Sequence, residues 1–245
     1  LLVEGSYNCV TSALVYQDES GALNEAFSDM MGNSAEFFAD SSVPKRDSTV
    51  SPDWLIGEDV YLAASVQPGF RNMSDPAEDG DPDHYSERQI GGGDNGGVHT
   101  NSGIANHAYY LLLAGGQNAG CARGHSHCTG DGAISVSGIG LAAAQQIFFL
   151  GFTALPSNAT MCQARASTET VAGVNQPSVA DAWRAVGLTD SVCGLSTEPT
   201  ATPTPTATAT ETPTATPTST PAPTQTPGTP GTMHVGSLAG FSGKL

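Results

Sequence analysis

Between Pro199 and Pro230, nine of the chain's 16 prolines alternate mainly with threonine and alanine. Proline fixes φ and removes a backbone donor, and a Thr/Pro/Ala tract offers little apolar surface to bury. Such a stretch stays extended as a semi-rigid spacer. Whatever folds in this 245-residue chain is therefore built mainly from residues 1–195. The expected organisation is a globular, mainly α-helical domain over 1–195 and a disordered Thr/Pro-rich linker over 196–231. Residues 232–245 follow as a separate piece.

Within the globular part, the stretch Gly21–Gly32 is the most ordered by pattern. Leu23, Ala26, Phe27, Met30 and Met31 recur at three and four residues, with Phe37 and Phe38 further on. That spacing predicts an amphipathic helix with one face in a core. Glu25 and Asp29 are four apart and share a face, where like charges repel unless a cation intervenes. They read either as a solvated acidic stripe or as a metal ligand backed by a second acid. Ala39–Asp53 reads as loop, and Trp54–Tyr61 and Asp75–Tyr85 as irregular structure. A second helix runs from Ser102 to the stop at Gly115-Gly116, with Ile104, Ala105, Ala108, Tyr109 and Leu112 on one face. Three more are predicted at Leu141–Leu155, Asn158–Val171 and Ser178–Val186, with Asn158 and Ser178 as N-caps and Gly187 as a stop.

Charge narrows the function classes. With 24 acidic and 8 basic residues the net charge is −16. Such a surface repels nucleic acid and anionic membranes, so neither is expected as a partner. No apolar run is long enough for a membrane span. The start at Leu1, without initiator Met or signal peptide, is read as a chain beginning after processing or partway through a gene. Five cysteines and the spacer favour an oxidising, secreted setting. Cys162 and Cys193 flank the last two helices and are expected to be bridged. Cys121 and Cys128 bracket Gly124-His125-Ser126-His127; a local disulfide is preferred over a metal site made of both thiols and both histidines. Cys9 is left over.

Several blocks taken in order carry a resemblance. They are Tyr16–Asp29, Asp53-Trp54-Leu55-Ile56-Gly57-Glu58-Asp59-Val60-Tyr61, Arg71-Asn72-Met73-Ser74-Asp75-Pro76, Gly80–Tyr85 and Asp94-Asn95-Gly96-Gly97-Val98-His99-Thr100-Asn101-Ser102-Gly103. Together they resemble the thermolysin family of zinc metalloendopeptidases, specifically the helical C-terminal half of the catalytic domain. The end of the chain, Met233–Gly240, resembles the opening of an extracellular β-sandwich module, cut off at Leu245.

The resemblance implies a Zn2+ and Ca2+ enzyme of bacterial, secreted type that acts as a monomer on peptide or protein substrates. Glu25 would be the carboxylate zinc ligand, with Asn24 and Asp29 orienting the ligand histidines. His99 would stabilise the oxyanion, Asp94 would hold its ring, and Tyr16 would add a second donor. Arg71 would bind the substrate carbonyl. Glu36, Asp53 and Glu58 would bind calcium. Leu55 stands where members with a double calcium site have Glu, which implies one calcium. The family's His-Glu-x-x-His motif would end at Gly5, yet residues 1–5 are Leu-Leu-Val-Glu-Gly and none of the six histidines precedes Glu25. That abrupt departure is read as a reading-frame error or a truncated gene. Two functions follow: the helical half of a secreted zinc endopeptidase, inactive as written, or a degenerate peptidase fold kept as a non-catalytic binding module. The retained Tyr16, Glu25, Asp29, Arg71, Asp94 and His99 favour the first.

Overall fold

The computed structural model describes residues 14–42, 53–58, 69–124 and 130–195. The expected linker and β module, Cys9, Cys128, His125, His127 and residues 1–5 lie outside the described residues. Of the stretch Ala39–Asp53 that the sequence assigns to a loop, residues 43–52 also lie outside them, and residues 39–42 are helical, because the helix that opens the fold runs on to Ser42.

The chain is mainly helical, as its pattern predicts. Among the described residues are α1 (Asp18–Ser42), α2 (Asp94–Ala114), α3 (Leu141–Thr153), α4 (Met161–Val171) and α5 (Gln176–Ala185). One antiparallel ribbon, β1 (Leu55–Ile56) with β2 (Arg71–Asn72), pairs Leu55 with Asn72 and Ile56 with Arg71. Short 3-10 turns at Pro76–Glu78 and Tyr85–Glu87 carry the acidic, Pro-containing segment.

The apolar stripe of α1 is buried as its spacing requires: Leu23, Ala26, Phe27 and Met30 have no more than 1% exposure. α1 packs most extensively on α2. Gly21 permits their close approach, because a Cβ there would lie 2.4 Å from Val98 Cγ1. Behind this pair the aromatic rings of three helices stack in series. Phe27 of α1 lies 5.6 Å from Phe152, Phe152 lies 5.5 Å from Phe148, and Phe148 lies 5.7 Å from Trp183 of α5. Tyr109 of α2 meets Phe148 edge-on at 5.1 Å, the arrangement the ring quadrupole favours. Burial pushes the Tyr109 phenol up to about 12, and its hydroxyl bonds Ser34 at 2.7 Å.

Four helix starts differ from the sequence reading. α1 begins at Asp18, three residues before Gly21. α4 is capped by Thr160 rather than Asn158, through a capping box in which Thr160 and Gln163 bond each other's backbone. α5 begins at Gln176, two residues before Ser178, with Pro177 in its first turn. α2 begins at Asp94 rather than Ser102, and its first turn is not α-helical. The Cys162–Cys193 disulfide forms, tying α4 to the segment that follows α5.

Candidate active site

The site is assembled from four segments. The turn before α1 brings Tyr16: the Ser20 hydroxyl donates to the carbonyls of Val15 at 2.6 Å and Gln17 at 2.8 Å, fixing the turn against the helix start. α1 brings Glu25 and Asp29, one turn apart on one face. β2 brings Arg71, because its pairing with Ile56 sets the strand beside α1. The turn that opens α2 brings Asp94 and His99.

These groups meet. The Tyr16 hydroxyl donates to Glu25 Oε1 and lies 3.0 Å from His99 Nε2. Its single proton can go to one of them; given to Glu25, it leaves the phenol oxygen to accept from the ring. His99 Nε2 is 3.8 Å from Glu25 Oε1. Behind the ring, Nδ1 lies 2.5 Å from Asp94 Oδ1, and the His99 amide donates to Asp94 Oδ2 at 2.9 Å. Asp94 thus caps the regular part of α2 and orients the histidine at once. Burial acts to raise the Asp94 carboxyl, but the hydrogen bonds from the His99 ring and backbone outweigh it and hold it below the usual carboxylate range. The Tyr16 phenol is pushed up, first by burial of its hydroxyl and then by its bond to Glu25.

Arg71 is the cation that the Glu25–Asp29 pair requires. Its Nε and Nη2 donate to Asp29 at 2.7 Å each, a bidentate fork, and Nη2 reaches Glu25 Oε2 at 3.5 Å. Asn106 of α2 donates to Asp29 Oδ2 at 2.7 Å. Burial disfavours the Arg71 charge, yet the bonds and charge of Asp29 prevail and its pKa is raised. Asn24 is buried one residue before Glu25. The expected partners of Asn24 and Asp29, two ligand histidines, are not among the described residues. What Asp29 holds in the structure is Arg71 and Asn106.

Residues 12–188 match the family model described as "Thermolysin metallopeptidase, alpha-helical domain". The chain belongs to the thermolysin family of metalloendopeptidases. It is 48% identical over 139 residues to a bacillolysin of Bacillus caldolyticus, covering 57% of this chain and 22% of that protein. A thermolysin of Alicyclobacillus acidocaldarius subsp. acidocaldarius is also 48% identical over 139 residues, covering 57% and 21%. A bacillolysin of Bacillus cereus is 41% identical over 186 residues, covering 73% and 29%. Among solved structures, the precursor of protealysin, a metalloproteinase from Serratia proteamaculans, superposes with a TM-score of 0.54 at 27% identity, covering 76% of this chain and 56% of that one. The chain spans between a fifth and a third of the length of these curated relatives.

Of the acids assigned to calcium, Glu36 and Glu58 line one cleft of about 320 Å³ with Ser28, Asp29, Asn33 and the β1 backbone. Asp53 borders that lining: its Oδ1 accepts from the Leu55 amide at 2.8 Å, and its carbonyl accepts from Asn33 at 2.6 Å. Cys121 is half-buried in a 3-10 turn, and its expected partner Cys128 lies outside the described residues. Of the other histidines, His107 is a core residue, its Nδ1 3.1 Å from the Met73 carbonyl and its Nε2 accepting from the Ala119 amide.

Sequence reasoning missed Asn101, Asn106 and Glu19. Glu19 accepts from the Tyr85 hydroxyl at 2.6 Å and from the Met161 amide at 2.7 Å, joining the turn that carries Tyr16 to the start of α4. No periodicity marks a contact of 142 residues' separation. For the two asparagines a signal did exist: a short polar side chain inside an otherwise apolar helix must find partners when buried.

Proposed function

We propose that residues 1–195 form the helical portion of a secreted, zinc-dependent endopeptidase. Residues 196–231 are then a spacer and 232–245 the start of another extracellular module. The observation that carries this is the convergence of Tyr16, Glu25, Arg71 and His99, up to 83 residues apart in sequence, on one face of the α1–α2 pair. Tyr16 and His99 present O–H and N–H donors beside a carboxylate, and Arg71 adds a fixed guanidinium. A peptide carbonyl placed there meets donors as negative charge grows on its oxygen, and preorganised donors of this kind stabilise such transition states. Asp94 keeps the His99 ring aimed. The substrate is a peptide or protein, and the protein acts as a monomer.

Zinc tests this reading. A two-His, one-Glu site needs three protein donors. The described residues offer Glu25, and among them no group of three or more His, Cys, Asp or Glu could hold a metal. They do not fit zinc by themselves, and the histidine nitrogens and the general base must come from a segment that this sequence does not have before Glu25. Calcium fits better. Glu36, Glu58 and Asn33, whose buried Oδ1 has no partner among the described residues, form an all-oxygen set suited to a hard cation.

The test is a chimera in which a relative's upstream half, with His-Glu-x-x-His in place of residues 1–5, precedes this chain. Casein hydrolysis sensitive to a chelator is expected from the chimera, and none from the 245-residue chain given zinc. A folded chimera that binds zinc in full yet cleaves nothing would leave the non-catalytic module as the better reading.

A further inference from the structure

The turn that delivers Asp94 to His99 has an unusual backbone. Asp94, Asn95, Gly96 and Gly97 all have positive φ, at 51°, 49°, 89° and 79°. Residues other than glycine enter this region mostly singly, so a run of four must be held by its surroundings. Local bonds supply part of the hold: the amides of Gly96 and Gly97 both donate to the Gly93 carbonyl, at 2.9 and 3.0 Å. The absence of side chains supplies another part, since a Cβ at Gly96 would lie 2.1 Å from Asp18 Oδ1. The tie from the turn to the segment before it runs through Asn101, one helical turn into α2 and 3% exposed. Its Nδ2 donates to the carbonyls of Gln89 at 3.0 Å and Gly96 at 3.2 Å, and its Oδ1 accepts from the Gln89 amide at 2.7 Å. Both amide protons and the oxygen are used. A Cβ at Gly97 would come within 2.9 Å of Nδ2, so the turn is also moulded against the amide.

Granted the reading of His99 as a substrate-facing donor, on which this rests, we propose that Asn101 is a positioning residue: its buried amide holds the Asp94–Gly97 turn so that the Asp94 carboxylate meets the His99 ring. Asn101 touches neither group's reacting atoms. It acts through the backbone, clamping Gly96 to Gln89 and so setting where Asp94 projects.

The test reads the ring proton directly, by ¹⁵N-edited NMR of the full 245-residue chain. Asn118 is the control: an equally buried amide that donates to the carbonyls of Asp83 and Ala185 and accepts from the Gly120 amide. Asn101→Asp keeps the shape but sets an acceptor against two carbonyls; Asn101→Ala removes the amide without burying a charge. In both, exchange of the His99 Nδ1 proton with water should quicken about tenfold or more, as it does when a buried tie is lost. Asn118→Ala should change that rate by less than about twofold despite a similar loss of thermal stability. Two results would overturn the assignment: Asn101 variants whose His99 proton behaves as in the unsubstituted chain, or an Asn118→Ala chain whose His99 proton exchange quickens as much as in Asn101→Ala, the behaviour of a purely structural amide. Asp94→Asn separates the layers. If it leaves the signal in place, the Asp94–His99 pair itself is misread. If it removes the signal and the Asn101 variants do not, only the role of Asn101 fails.

Discussion

On the wall formed by α1 and α2, His99 keeps 52% of its side chain exposed and Asp94 31%, and the contacts that matter are hydrogen bonds and ion pairs. In α3, α4 and α5, by contrast, Phe148, Phe152, Met161 and Trp183 are wholly buried, and ring stacks dominate beside the buried Arg165, which pairs with Glu169 and Asp190. The one polar tie of the bundle's Trp183, its indole N–H to Thr168 at 2.9 Å, is itself buried. The bundle can be close-packed because nothing has to enter it. The exposed groups of the wall are instead held from behind by Arg71–Asp29, Asn101 and Asn106. The two regions are therefore held by different kinds of interaction, and substitutions should separate them.

The largest effect on stability belongs to the bundle. Trp183→Ala empties a site packed on Phe148 and should cost about 3–5 kcal/mol in urea unfolding. Equal sensitivity at an exposed wall residue would erase the contrast. Next comes the Cys162–Cys193 bridge, whose residues are 31 apart. Its replacement by serines should cost roughly 3–4 kcal/mol by the chain-entropy account. Peptide mapping without reduction should recover the linked pair; two thiols that alkylate freely in the folded protein would sink the assignment.

Asp81, in the segment that packs on α2 at Gly103, should give a pH dependence that the bundle does not. Burial, opposed by Arg71 and reinforced by Asp79, Asp29 and Asp94, pushes the Asp81 carboxyl up to about 7. Because the folded state holds this proton more tightly than the unfolded one, Asp81 penalises folding increasingly from the ordinary aspartate range up to about pH 7. Asp81→Asn should therefore raise the melting temperature at pH 8 and leave it unchanged at pH 4. A gain at pH 4 as large as at pH 8 would refute the titration. The smallest effect on stability is expected for His99→Ala, within about 0.5 kcal/mol, since its side chain is half exposed. In the chimera the same change should lower kcat by about 10²–10³, with KM moving much less. A His99 variant that unfolds the chain, or leaves kcat untouched, would show that wall and bundle are not separable.

Much of the helical architecture was legible because its causes are local. The stripe from Leu23 to Met31 fixes α1, Gly115 ends α2, and Gly187 follows α5, each through spacing or conformational freedom within a few residues. The capping box of α4 was legible too, in Thr160-Met161-Cys162-Gln163, but Asn158 competed with it by residue type alone. The matched blocks also named the residues that converge, from Tyr16 to His99. The tertiary structure decided which of them touch. Asp29 was expected to orient histidines; in the structure it holds Arg71, 42 residues away, because two carboxylates on one helix face demand a cation and β2 brings one. The start of α2 at Asp94 was hidden because a left-handed run has no helical period; it exists only where Asn101, Asp18 and the Gly93 carbonyl surround it. Sequence fixes what one turn of chain can do alone, and packing fixes the conformations that no short segment would adopt without its neighbours.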